Sequence, residues 1–266
     1  VFTRLELALT ALPPETLIVM TFFEDMASAL AFVVAARRAR ELRPVSMEFL
    51  DEGCLAIVRP YAEGIAIPRE AHILLYFELE YDGDGDREAQ LELWFPVIET
   101  HSALAQDTQI AASPTQKAHL RELRHRVPQA LNEESSRVVP DGGCKISTDW
   151  AVPYARLPEL FEYFEKLRSR LGDMRVVRFA HVGEGHPHFN FIARNPLERA
   201  AAEAVDALMA RKAVVLGGCI TGEHGIGKLK REHMSFQYLP HLIQVMRALK
   251  NAFDPAGILA PGNILP

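Results

Sequence analysis

Cysteine is scarce in this chain. Three cysteines, Cys54, Cys144 and Cys219, are widely spaced over 266 residues and odd in number. That excludes a disulfide framework and a Cys-x-x-Cys metal knuckle, and makes a reducing compartment, the cytoplasm, the expectation. Long apolar runs are missing too. None approaches the ~18 residues that span a bilayer, and peripheral attachment to a membrane is left open. Excess positive charge is also absent. The 29 Lys+Arg against 35 Asp+Glu give a formal net charge of −6, which gives no support for nucleic acid as a partner. What remains is ordinary globular composition, 48% hydrophobic and 24% charged, long enough for one large domain or two modest ones.

Along the chain, VFTRLELAL (residues 1–9) alternates as a strand does, with nothing before it to pair with. A fragment, or a subunit that completes itself on a partner, is expected. TLIVMTFF, VSMEFL (Val45–Leu50), AHILLYFELEY (Ala71–Tyr81) and TQIAA read as strands. EDMASALAFVVAARRAREL (Glu24–Leu42) and REAQLELWFPVIETHSAL read as helices, the second crossed by Pro96. Two β-α-β units in succession predict an α+β fold, an antiparallel sheet covered by helices on one face, with ferredoxin-like elements. Pro114–Ser135 predicts a helix reaching the region of Pro128, and CKISTDWAV (Cys144–Val152) a strand. LPELFEYFEKLRSRLG predicts an amphipathic helix. MRVVRFAHV and HFNFIAR predict two strands joined by GEGHP, and two further helices follow. DGDGD (Asp82–Asp86) starts like a calcium loop. It lacks the glycine at position six and the glutamate at position twelve, so a solvated turn before a helix is expected.

Two motifs carry chemistry. In HVGEGHPH, His181 and His188 stand at facing ends of two predicted strands, and Gly183 and Gly185 permit the reversal between them. That pattern can bring two imidazoles to one metal or be only a polar hairpin, with His186 expected to be exposed. TGEHGIGKL (Thr221–Leu229) fits the first seven positions of a phosphate loop, but Leu229 replaces the Ser/Thr that holds magnesium. The better reading is that its glycines let the chain approach a ligand closely. Glu223 is then an anionic third metal ligand beside His181 and His188, and His224 a general base. Two histidines and one carboxylate describe a catalytic metal site with open positions.

HVGEGHPH followed by FN, GGCITGEHGIGKLKREHM, and the terminal FDPAGILAPGNILP together resemble the C-terminal half of the FAD-linked 2-hydroxy-acid dehydrogenases and oxidases. These are the D-lactate, D-2-hydroxyglutarate and glycolate-oxidase type within the vanillyl-alcohol-oxidase superfamily. EFLDEG and RHRVPQAL add to the resemblance, which covers nearly the whole chain. It implies that residues 1–12 are the last strand of an FAD-binding domain and that 13–266 are the oxidase C-terminal domain. It implies His181, His188 and Glu223 as ligands of a divalent metal (zinc, manganese or iron) and His224 as the base beside the flavin. Arg124, Lys145 and Asn190 are implied on the substrate, with Gly225 and Asn263 on the cofactor side.

The chain departs from the family at three places. Glu184, His186 and Pro187 replace GDGN-Leu-His. Pro128 stands where some members carry a substrate-binding threonine. Lys145 lies in KISTDWAVP rather than in a K-[HY]-D segment. These bear on substrate identity. Arg126 competes with Arg124, since one residue of helical phase decides which points inward; taken locally, Arg124 and Lys145 read as surface charge or helix-end pairing.

The implied activity is oxidation of a small D-2-hydroxy acid to a 2-oxo acid, with FAD held by the N-terminal domain. The motifs name no electron acceptor, and a homodimer is open. The alternative is a non-catalytic cap or oligomerisation module that binds a small acid or metal.

Overall fold

The computed structural model describes residues 3–11 and 15–266. Its strands are β1 (Glu15–Phe23), β2 (Ser46–Leu50), β3 (Ile73–Tyr81), β4 (Gln109–Ala111), β5 (Cys144–Ser147), β6 (Arg175–His181) and β7 (His186–Ala193). They form one antiparallel sheet in the order β4-β1-β3-β2-β6-β7-β5. The helices are α1 (Met26–Arg38), α2 (Glu52–Val58), α3 (Gly83–His101), α4 (Pro114–Val138), α5 (Leu157–Leu167), α6 (Pro196–Val215), α7 (Met234–Gln237) and α8 (Pro240–Phe253).

Local chemistry sets the helix starts. The Asp25 side chain accepts from the Ser28 amide and caps α1. Ser113 and Gln116 close a reciprocal capping box ahead of Pro114 in α4, and Asn195 caps α6 ahead of Pro196. DGDGD lies at the exposed start of α3, where Asp86 accepts from the Asp82 amide.

The predicted one-sided cover is corrected: helices lie on both faces. Leu17, Val19 and Phe23 of β1 join Phe32, Trp94, Phe161 and Met209 in one core, under α1, α3, α5 and α6. The alternate residues Ile18, Met20 and Phe22 join Leu55, Val58, Leu120, Leu123, Val127 and Leu131 in a second core, under α2 and α4. Strands apolar at nearly every position, such as LIVM and ILLYF, are buried on both sides. Helix α4 also continues past Pro128 to Val138. The burial of Val127 and Leu131 in line with Leu120 and Leu123 outweighs the ~3 kcal/mol an interior proline costs.

Residues 3–11 carry no strand, and Leu5, Leu7 and Leu9 are 68%, 77% and 89% exposed. A strand needs a hydrogen-bonded neighbour, and these residues have none among the described residues. Val1 and Phe2, and Leu12 to Pro14, lie outside the described residues.

Candidate active site

The site grows from the β6–β7 hairpin. Gly185 turns the chain with φ +76°, and a Cβ there would collide with the Val152 carbonyl. Strand register then aligns His181 with His186 and Phe179 with His188, so all three imidazoles share the sheet face that carries α4. Glu48 sits opposite His181 across the β2–β6 pair.

Each ring is oriented by a partner behind it. His181 Nδ1 lies 2.8 Å from Glu48 Oε1, and the hydrogen bond to Glu48 holds its pKa above the ordinary value. His188 Nδ1 lies 3.2 Å from the Thr148 carbonyl. Burial, with its imidazole neighbours, pushes the pKa of His188 down to about 4, so this ring is neutral at pH 7. Both partners only accept, which puts the proton on Nδ1 and turns an Nε2 lone pair forward.

The facing wall is Thr221–Gly225, held by Asp149. This buried carboxylate accepts from the amides of Gly222, Glu223 and His224 at 3.2, 3.1 and 3.1 Å. It also takes the Thr221 hydroxyl and stands 3.1 Å from His186 Nε2. Burial alone would raise its pKa, but the bonds from His186, Thr221 and the amides hold it well below the usual carboxylate range. The likeness to a phosphate loop therefore has a physical counterpart. Successive amides do converge on an anion, but the anion is the protein's own aspartate. Gly222 is required because any Cβ would strike the His186 ring. His186 is thus a buried strut, not the exposed turn residue expected.

This anchoring aims Glu223 at the histidines. Its Oε1 lies 3.2 Å from His188 Nε2, 3.6 Å from His181 Nε2 and 3.5 Å from His224 Nε2. His224 stacks on His188 with ring centroids 5.2 Å apart and is half exposed.

The family described as "FAD linked oxidases, C-terminal domain" matches residues 12–264. The chain belongs to this family. It is 30% identical to the glycolate oxidase subunit GlcD of Bacillus subtilis, over 94% of this chain and 51% of that protein. It is 26% identical to a probable mitochondrial D-2-hydroxyglutarate dehydrogenase of Oryza sativa subsp. japonica, over 100% of this chain and 46% of the relative. The chain therefore spans about half the length of the curated relatives it matches. The fold is also similar to that of p-cresol methylhydroxylase, with TM-score 0.62 at 15% identity, covering 95% of this chain and 53% of that one.

The oxidase-domain residues expected from the sequence divide into three groups. His181, His188, Glu223 and His224 come together. Arg124 joins them: its guanidinium pairs with Glu48 at 3.0 Å and reaches to 3.4 Å from His181 Nδ1. The competing Arg126 turns away to Glu122 and the Tyr61 ring. A cavity of about 280 Å³ beside α4 is lined by Glu48, Tyr76, Arg121, Arg124 and His181.

Asn190 is adjacent but buried, its side-chain oxygen accepting from Ser147 Oγ at 2.7 Å. Lys145 is not brought into contact with the cluster. It pairs with Ile192 in register, its ammonium bonds Asn132 at 2.5 Å, and burial lowers its pKa. Strand periodicity puts Ser147, two residues on, opposite Asn190. Gly225 (φ +70°) and the tail bearing Asn263 are drawn to one region, because the Ile264 amide bonds the Gly227 carbonyl at 2.8 Å.

The donors suit a divalent cation. Neutral His188 turns a lone pair toward the Glu223 carboxylate, an acceptor facing an acceptor, which a bound cation between them would resolve. Four donors held tetrahedrally at about 2.1 Å stand roughly 3.4 Å apart, close to the observed separations. Asp149, His188, Glu223 and His224 offer atoms all within 4.8 Å of one another. Asp149, however, is already engaged by five donors, while His181 Nε2 lies 3.6 Å from Glu223 Oε1. Asp149 and Glu48 are functional residues that sequence reasoning missed.

Proposed function

We propose that this chain is the substrate-side part of a flavin-dependent oxidoreductase that converts a D-2-hydroxy acid to the 2-oxo acid. The observation that carries this reading is the convergence of three imidazole Nε2 atoms on Glu223 Oε1, beside a cavity bearing Arg124. The names of the relatives, glycolate oxidase and D-2-hydroxyglutarate dehydrogenase, support the substrate class.

A divalent cation held by His181, His188 and Glu223 would polarise the substrate hydroxyl, with zinc, manganese and iron all compatible with the donor set. FAD, carried by an FAD-binding domain, would accept the hydride. His224 takes the hydroxyl proton at Nε2, an imidazole task near neutral pH. Its Nδ1 lies 3.6 Å from Asp149 Oδ1. Arg124 orients the substrate carboxylate. Its Nε and Nη2 are committed to Glu48, so the substrate would meet its Nη1 side. Glu48, by holding both Arg124 and His181, fixes the spacing between the carboxylate anchor and the hydroxyl.

The test combines the chain with its FAD-binding domain and follows dye reduction by D-lactate, D-2-hydroxyglutarate and glycolate. Turnover of at least one acid is expected, with Glu223→Ala lowering kcat more than a hundredfold. Binding of an acid or a metal without turnover across the panel would favour the cap-module alternative and overturn the enzyme reading.

A further inference from the structure

The cavity beside Arg124 holds a buried tyrosine. Tyr76 of β3 lies opposite Glu48 of β2, which in turn lies opposite His181 of β6. The three stand in one row on the sheet face that carries α4. With strands ~4.8 Å apart, Tyr76 is about 10 Å along that row from His181. Tyr76 is 6% exposed, yet it lines the same cavity as Arg124 and His181. Burial, with Glu48 beside it, raises the pKa of its phenol, so the hydroxyl is neutral at pH 7.

Among the described residues, nothing pairs with this hydroxyl. The charged groups around it are Glu48, Arg124, Arg121 and Glu78. Glu48 is taken by Arg124 and His181, and Glu78 by Arg121 at 3.3 Å. A phenylalanine would fill the same floor, and the rest of ILLYF in β3 is apolar. What the tyrosine adds is one hydrogen-bonding group turned into the cavity. A buried polar group without a protein partner points to a ligand or water that meets it.

The row says which part of a substrate that is. With the hydroxyl of a 2-hydroxy acid beside His181 and its carboxylate on Arg124, the remaining carbons lead over Glu48 toward Tyr76. Arg121, one turn before Arg124 on the same flank of α4, lines this end of the cavity too. Glycolate and D-lactate have no carbon beyond the third and end short of it.

We propose that Tyr76 is a specificity-determining residue whose hydroxyl binds an oxygen at the tail of the substrate, a 2-hydroxy acid of at least four carbons that ends in a carboxylate or a hydroxyl. This rests on the reading that the chain serves oxidation of 2-hydroxy acids. A neutral hydroxyl both donates and accepts, so it serves either tail. An aliphatic tail would leave it unanswered.

The test combines the chain with its FAD-binding domain and measures kcat and KM for wild type and Tyr76→Phe. The acids are D-2-hydroxyglutarate and D-2,4-dihydroxybutyrate, with oxygen at the tail, D-2-hydroxyhexanoate, with an apolar tail, and D-lactate. The better oxygen-tailed acid is expected to exceed the other two in kcat/KM. Tyr76→Phe is expected to raise KM for that acid about tenfold, the scale of one hydrogen bond, with kcat little changed. It should leave D-2-hydroxyhexanoate and D-lactate unaffected. Because no protein group answers the hydroxyl, the variant should melt no lower than wild type. An equal loss on D-lactate, or a lower melting temperature, would make the hydroxyl a support of the site and overturn the proposal. Unchanged kinetics on every acid, or a wild-type preference for D-2-hydroxyhexanoate or D-lactate, would overturn it and leave the functional reading standing. Wild type that turns over none of the acids would count against the functional reading itself, and the role of Tyr76 would fall with it.

Discussion

At the scale of single residues, two carboxylates hold the other side chains of the site in place. Glu48 orients His181 through a 2.8 Å contact and opposes Arg124 at 3.0 Å. Removing such an outer partner typically lowers metal affinity 10–100-fold. Glu48→Gln keeps the shape but weakens the acceptor, so cation affinity measured by calorimetry should fall by about that factor, with the melting of the chain little changed. An unchanged affinity would show that His181 is not a ligand. Sequence reasoning could find His181, His188 and Glu223 because glycines and histidines punctuate their own segments. Glu48 and Asp149 act across the fold, on partners 133 and 72–75 residues away. Sheet register creates the first meeting and the isolated Ala151–Cys219 bridge adjoins the second, and no local spacing announces either. Lys145, implied on the substrate, stands apart from the histidines by register as well: it lies opposite Ile192 on an edge strand and its ammonium meets Asn132.

At the scale of elements, the strands were legible because β-rich apolar runs ended in turn residues, and the starts of α1 and α4 because their caps are local. Asp25 is the clearest case. It accepts from the Ser28 amide and hydroxyl, each at 2.8 Å. The Ser28 amide is the main reason its pKa is lowered. A carboxylate with a depressed folded pKa stabilises above its unfolded pKa, near 3.9, and loses that contribution as pH falls toward the folded value. Asp25→Ala should therefore cost about 1 kcal/mol at pH 7 in urea denaturation. The gap to wild type should narrow below about pH 4; a gap independent of pH would show that the charge is irrelevant to the cap. Less legible was which face each helix covers. Continuous apolar strands such as β1 present both faces as buried, and the pattern alone does not say that α2 and α4 take the second one. Pro128 misled for a related reason, since its local penalty is outweighed by buried neighbours on either side.

At the scale of the whole molecule, the site is assembled from parts far apart in sequence: the β2–β6–β7 face, α4, Asp149 at the end of β5, and a loop tied to the last residues. Among the described residues, the tail meets this loop through the amide bond from Ile264 to Gly227, with Leu265 packed beside Ile220 and Ile226, and Arg247 of α8 bonds the Pro266 carbonyl. Neither of the two main cores includes the tail. Its removal should therefore leave the sheet intact and loosen only the loop. A chain ending at Leu259 should melt cooperatively near the wild-type temperature. Its Glu223 and His224 amides, which bond Asp149 at 3.1 Å, should exchange with deuterium faster, by about tenfold for a local opening eased by ~1.4 kcal/mol. Faster exchange throughout β6 and β7 would mean that the tail supports the whole fold. Unchanged exchange at Glu223 and His224 would mean that Asp149 alone holds the loop, and that the terminal motif owes its place in this family to the surface it offers rather than to the catalytic loop beneath it.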